Sequence, residues 1–100
     1  MTDTIRISVQ AAGFVAFLLN ASRLDLRLNR NEADLEHALG IIEKRCREHP
    51  KCPAEFQIRK GFRILVQRGH HYESINPNQD ANPKLENDDQ LILAHRFFGG

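Results

Sequence analysis

The sequence predicts an α+β domain in which a helix packs across one face of a single sheet. Three observations lead there. Two early segments alternate aliphatic with polar residues, one later segment carries apolar residues at helical spacing, and several short strand-like segments follow it. The order strand, strand, helix, strands departs from the regular alternation that builds a parallel sheet covered on both sides.

Ile5, Ile7 and Val9 alternate with Arg6, Ser8 and Gln10, and Leu24, Leu26 and Leu28 alternate with Arg23, Asp25 and Arg27. Period-two alternation places the aliphatic side chains on one face, so these read as two neighbouring half-buried strands. Between them, the apolar stretch from Ala11 to Asn20 has no clean period. It is compatible with a hairpin extension, a short helical turn or an exposed contact surface.

The helix is the clearest element. Asn29 or Asn31 is the expected N-cap, and Glu32 and Asp34 place negative charge where the first-turn amides favour it. Leu35, Ala38, Leu39, Ile42 and Cys46 form an apolar face, Lys44, Arg45 and Arg47 suit the C-terminal end, and Pro50 and Pro53 stop the helix. Phe56 to Ile58 reads as a short strand, broken by Gly61 from a more central strand over 62–67. Gly69 marks a turn, residues 71–75 a short strand, and 76–83 an irregular loop. Leu85 re-enters the core, Glu86 to Asp89 turns the chain, and a last strand runs from Gln90 to Arg96. If the first and last strands are central neighbours, they run parallel.

One hundred residues suit one domain, and 41% hydrophobic with 27% charged residues is ordinary globular usage rather than the composition of a disordered chain. A net charge of +1 supplies no electrostatic drive toward nucleic acid, so no nucleic-acid partner is expected. The run from Ala11 to Leu19 is too short to span a bilayer, so no membrane partner is expected either. The first residues lack a basic region followed by an apolar core, and two cysteines do not make a disulfide framework. The expected location is cytoplasmic.

The segment Leu91 to Phe98 runs directly into Gly99-Gly100. Without Cβ atoms, two such residues can lie extended in a narrow channel and present a carboxylate to attack. Because Gly is roughly 7% of residues, a terminal pair arises by chance in about one chain in two hundred. The expected division is a folded domain over 1–96 and a flexible tail over 97–100.

The order of elements, the segment from Lys84 to Leu93 and the ending Phe97-Phe98-Gly99-Gly100 together resemble the β-grasp sulfur carriers, which include the small subunit of molybdopterin synthase and the thiamine-pathway sulfur carrier. Leu85 stands at the family's leucine, Asn87-Asp88-Asp89 at its acidic D-G-D turn, and Leu91 to Leu93 at its aliphatic strand. Leu24 to Leu28 with Ala33 to Leu39 looks like the second strand and helix start, and Ile64 to Gln67 like the central strand. The turn glycine is absent, and Phe97-Phe98 replaces a Pro- or Val-containing segment. The resemblance implies a ubiquitin-like mixed sheet with one main helix across a face.

It also implies a chemistry. A ubiquitin-activating-like partner would adenylate the Gly100 carboxylate with ATP, and a sulfur donor would convert the adenylate to a thiocarboxylate. This chain would bind no cofactor itself and would act as a carrier, or as the small subunit of a sulfur-transfer complex, rather than as a stand-alone catalyst. Gly99 would give the tail its freedom, while Phe97, Phe98, Arg96, Phe14 and Phe17 would contact the adenylating enzyme, a large catalytic subunit or another sulfur acceptor. The alternative is a ubiquitin-like protein modifier or a binding module without catalytic role.

Other constellations carry less. Cys46, His49 and Cys52 form C-x2-H-x2-C, but Cys46 falls on the apolar helical period and the spacing matches no strong zinc signature, so no metal is expected. His37 lies nine residues before Cys46, half a turn away around the helix. Neither cysteine has a convincing base. Arg59, Lys60, Arg63 and Arg68 cluster in sequence, but period-two geometry divides neighbours between the two faces of a sheet, which predicts a solvated surface, with docking of an acidic partner patch as the alternative.

Overall fold

The computed structural model describes residues 3–58, 62–75 and 82–95. These form β1 (Thr4–Ala11), α1 (Gly13–Leu19), β2 (Arg23–Asn29), a 3-10 turn (Arg30–Glu32), α2 (Leu35–Arg47), β3 (Phe62–Arg68), β4 (His71–Ile75) and β5 (Gln90–His95). The strands make one sheet in the order β2-β1-β5-β3-β4. β1 and β5 are parallel, with Ser8 opposite Gln90 and Ala11 opposite Leu93. The other pairings, β1 with β2, β3 with β5 and β3 with β4, are antiparallel. The first and last strands are therefore the parallel central neighbours that the sequence allowed, and the arrangement is a β-grasp.

Alternation decides the two faces. Ile5, Ile7, Val9, Leu26, Leu28, Ile64, Val66, Leu91 and Leu93 are buried together with Leu35, Ala38, Leu39, Ile42 and Cys46 of α2 and Val15 and Leu18 of α1. Both helices thus share one core with the inner face of the sheet. Burying each such aliphatic side chain stabilises the fold by roughly 1.5–3 kcal/mol.

α1 resolves the ambiguous stretch between the first two strands. Gly13, with φ +60°, bends the chain out of β1, and Asn20 ends the helix in the left-handed region with its N–H donating to Ala16 and Phe17 carbonyls. Val15 and Leu18 turn inward, which leaves Phe14 and Phe17 outward. The sequence left a hairpin extension, a short helical turn or an exposed contact surface open here; the structure has a short helix packed against α2.

Three local expectations are corrected. The N-cap of α2 is Asp34, not Asn29 or Asn31, because the 3-10 turn separates β2 from the helix. Asp34 Oδ1 accepts from the His37 N–H at 2.9 Å, and the Asn82 side-chain oxygen accepts from Glu36 N–H at 2.8 Å. Phe56 to Ile58 is not a strand. Its backbone is instead held by side chains of α2: Arg47 donates to the Phe56 carbonyl and the Ile58 N–H donates to Glu43, which sinks Phe56 and Ile58 into the core. Arg68 is not a merely solvated cation. Its Nε and Nη2 donate to both carboxylate oxygens of Asp89 at 2.9 and 2.8 Å, and Asp89 is 2% exposed.

Candidate functional site

β5 runs parallel to β1 and extends past it, with Leu93 opposite the last residue of β1 and His95 opposite Phe62 at the start of β3. β5 therefore ends, at His95, at the edge where β1 ends and α1 begins. Arg96, Phe97, Phe98, Gly99 and Gly100 lie outside the described residues, as do the expected domain boundary between 96 and 97, Arg59, Lys60, Gly61 and residues 76–81 of the predicted loop.

Beside that edge stands an aromatic surface. Phe14 and Phe17 stack with ring centroids 6.0 Å apart, and Phe14 meets Phe56 edge-on at 6.1 Å. Phe56 in turn lies 6.2 Å from Phe62, so the rings run from the surface into the core. Phe17 is 49% exposed and Phe14 36%, and one turn of helix explains both. Residues 14 and 17 share a face, about a quarter turn around the helix from Val15 and Leu18. His49 covers the far side of Phe17 with its ring 4.9 Å away. Sequence reading named Phe14 and Phe17 but missed Phe56 and His49, whose proximity depends on how the chain returns after α2.

The turn that launches β5 is tightly fixed. Asp88, with φ +71°, occupies the left-handed region, and it stands where the family pattern has glycine. Asp tolerates that conformation better than most side chains. Asp88 N–H donates to the Arg6 carbonyl, Arg6 N–H to the Asn87 side chain, and Ser8 N–H to the Asp89 carbonyl. Asp89 also accepts from Glu86 N–H at 2.8 Å. The hydrogen bond with Asp89 raises the pKa of Arg68 above its usual value against the opposing effect of desolvation, so this guanidinium stays charged. The pair clamps the end of β3 to the start of β5.

The cysteine-histidine constellation is taken up by packing and loop geometry. Cys46 is fully buried and burial pushes its thiol up to about 11, which makes it a poor nucleophile. His49 Nδ1 accepts from Lys51 N–H at 3.0 Å, and Cys52 is half-buried against the core. Among the described residues no three His, Cys, Asp or Glu groups are placed to hold a metal ion. None of the described helices is long and apolar enough to cross a membrane.

At the other end of α2, His37 Nδ1 lies 2.8 Å from Asp34 Oδ1. Hydrogen bonding to Asp34 raises the pKa of His37, with the nearby acidic charges adding to it against a desolvation penalty. Burial acts to raise that of Asp34, but the His37 backbone and ring hydrogen bonds, the His37 charge and the Asn82 hydrogen bond outweigh it and hold the carboxyl below its ordinary value. This pair anchors the N-terminal end of the helix.

No protein-family model matches the chain, and no curated protein matches it in sequence. Among solved structures it is similar to the small archaeal modifier protein 1 from Methanosarcina acetivorans, with a TM-score of 0.64 at 13% identity, covering 97% of this chain and 98% of that one. Such coverage at so low an identity is a likeness of fold, and the chain has the ubiquitin-like β-grasp fold.

Proposed function

We propose that this chain is a cytoplasmic sulfur carrier whose Gly100 carboxylate is activated by a partner and serves in molybdopterin or thiamine biosynthesis. The observation that carries the reading is the position of β5: it is the central strand of the sheet, and it ends, at His95, at an edge flanked by the exposed rings of Phe14 and Phe17. A partner that engages the tail would meet that aromatic surface at the same time.

A carboxylate is a poor electrophile because it is anionic and lacks a leaving group. In this reading, the Gly100 oxygen attacks the α-phosphorus of ATP on a ubiquitin-activating-like enzyme and expels pyrophosphate. A sulfur nucleophile at the sulfide level then displaces AMP, leaving a terminal thiocarboxylate for the acceptor or large catalytic subunit. This chain contributes the reacting group and the recognition surface, while ATP and the acid-base groups belong to the partner. Gly99 lets the tail thread the partner's channel, and Arg96, Phe97 and Phe98 contact its mouth.

Incubation with an adenylating enzyme, ATP and sulfide, followed by intact mass, tests the reading. The expected product has one terminal oxygen replaced by sulfur, and deletion of Gly100 abolishes it while leaving circular dichroism unchanged. Activation of the deleted chain would sink the proposal. The second reading, a protein modifier, is favoured by the likeness to the small archaeal modifier protein 1, and attachment to target lysines in the same assay would establish it.

A further inference from the structure

The outer face of the sheet carries an ordered pattern of its own. Register places Arg6 opposite Arg27, Ser8 opposite Asp25 and Gln10 opposite Arg23. It continues through Gln10 beside Ile92, Ile92 beside Leu65, Ala94 beside Arg63, Leu65 beside Ser74 and Gln67 beside Tyr72. Half-buried Leu65, Ile92 and Ala94 thus occupy the middle, exposed Arg6, Arg23 and Arg27 one margin, Arg63 a corner, and Tyr72 the other margin.

The charge on this face is unbalanced. Asp25 is the one carboxylate among the outward-facing described strand residues, and it accepts from the Ser8 hydroxyl at 3.3 Å. None of the four guanidiniums has a hydrogen-bond or ion-pair partner among the described residues, which contrasts with Arg68. Four arginines against Asp25 leave the described strand residues of this face at a net +3 on a chain whose total is +1, with Asp88 of the turn before β5 lining a cavity beside Arg6 and Arg27. Arg6 and Arg27 stand directly opposite each other, a like-charge arrangement that works against strand pairing.

We propose that this open face docks an acidic protein surface, with partner carboxylates meeting the arginine margin and an apolar patch meeting Leu65, Ile92 and Ala94. An aliphatic centre rimmed by Arg and Tyr matches the anatomy of protein interfaces. A single-stranded nucleic-acid surface would instead present several aromatic stacking positions, and among the described residues this face exposes one, Tyr72. Five strands about 4.8 Å apart and six residues long give a footprint of roughly 400 Å², about half the usual area per partner, which marks a transient complex.

Amide-shift titration of the isotopically labelled full chain with the peptide Glu-Glu-Leu-Leu-Glu-Glu tests the proposal. Shifts are expected along β1, β2, β3 and β5 and not at the equally basic cluster Lys44, Arg45, Arg47 and Lys51, and they weaken as salt rises. The double variant Arg23→Glu, Arg27→Glu should lower affinity about tenfold or more. The single variant Arg27→Glu places an opposite charge across from Arg6, so its melting temperature should hold or rise while its affinity falls, which separates lost binding from lost folding. Shifts centred on the α2 cluster, unchanged affinity in the variants, or tighter binding of polyuridine or phosphatidylserine vesicles than of the peptide would overturn it.

Discussion

The two faces of the sheet are built from the same strands under different demands. On β5, Leu91 and Leu93 are each 1% exposed beneath the helices, whereas Ile92 and Ala94 between them are half-buried on the open side. On β3, Arg68 is bound by both oxygens of a buried carboxylate, whereas Arg63 has no partner among the described residues. The inner face is dictated by packing and by satisfying every buried polar group. The outer face is free of both demands, so its residue choices are where a partner can leave its mark.

The contrast is broken most directly on β5. Leu91→Ala should cost about 2–5 kcal/mol and Ile92→Ala about 1 kcal/mol or less, read as the difference in urea midpoints. Equal losses would mean that the outer face carries as much of the fold as the inner. Next comes β3: Arg68→Ala should cost about 1–3 kcal/mol by leaving Asp89 without its main partner, and Arg63→Ala should stay within about 0.5 kcal/mol.

The smallest effect concerns the cap of the helix that closes the inner face. Asp34→Ala should cost about 1 kcal/mol, and its cost should depend on pH. The lowered Asp34 pKa contributes stability that is complete above the ordinary value of 3.8 and is lost as pH falls through the folded value. The raised His37 pKa contributes stability that is complete below the ordinary 6.5 and is lost as pH rises through the folded value. The gap in melting temperature between wild type and variant should therefore be widest between those two ordinary values. A gap that is flat across pH would show that the ring-carboxylate contact adds nothing to the cap.

Strong periodicity was readable and distant pairing was not. The alternation of Ile5, Ile7 and Val9 and the spacing of Leu35, Ala38, Leu39, Ile42 and Cys46 each name a buried face, and all eight side chains are in the core. α1 escaped reading because seven residues make barely two turns, and Phe14 and Phe17 put apolar groups on its outer side too. Asn29 and Asn31 have capping chemistry, but the intervening 3-10 turn hands the position to Asp34. Arg68 looks like Arg63 in sequence, and only Asp89, 21 residues later, distinguishes it. Of the candidate site, Phe14 and Phe17 were legible as exposed aromatics, while their neighbours Phe56 and His49 follow from the tertiary path of a segment without periodicity.

The parallel pairing of β1 with β5 sets a mechanical limit on access. Ser8 and Gln90 are neighbours across a span of more than eighty residues, so pulling β5 away would take the middle strand out of the sheet and forfeit the whole domain. A partner that engages the segment after β5 cannot gain length by peeling. It must come to the sheet itself, at the end where β1 stops and α1 starts, and accept the rigid surface that the paired strands present there.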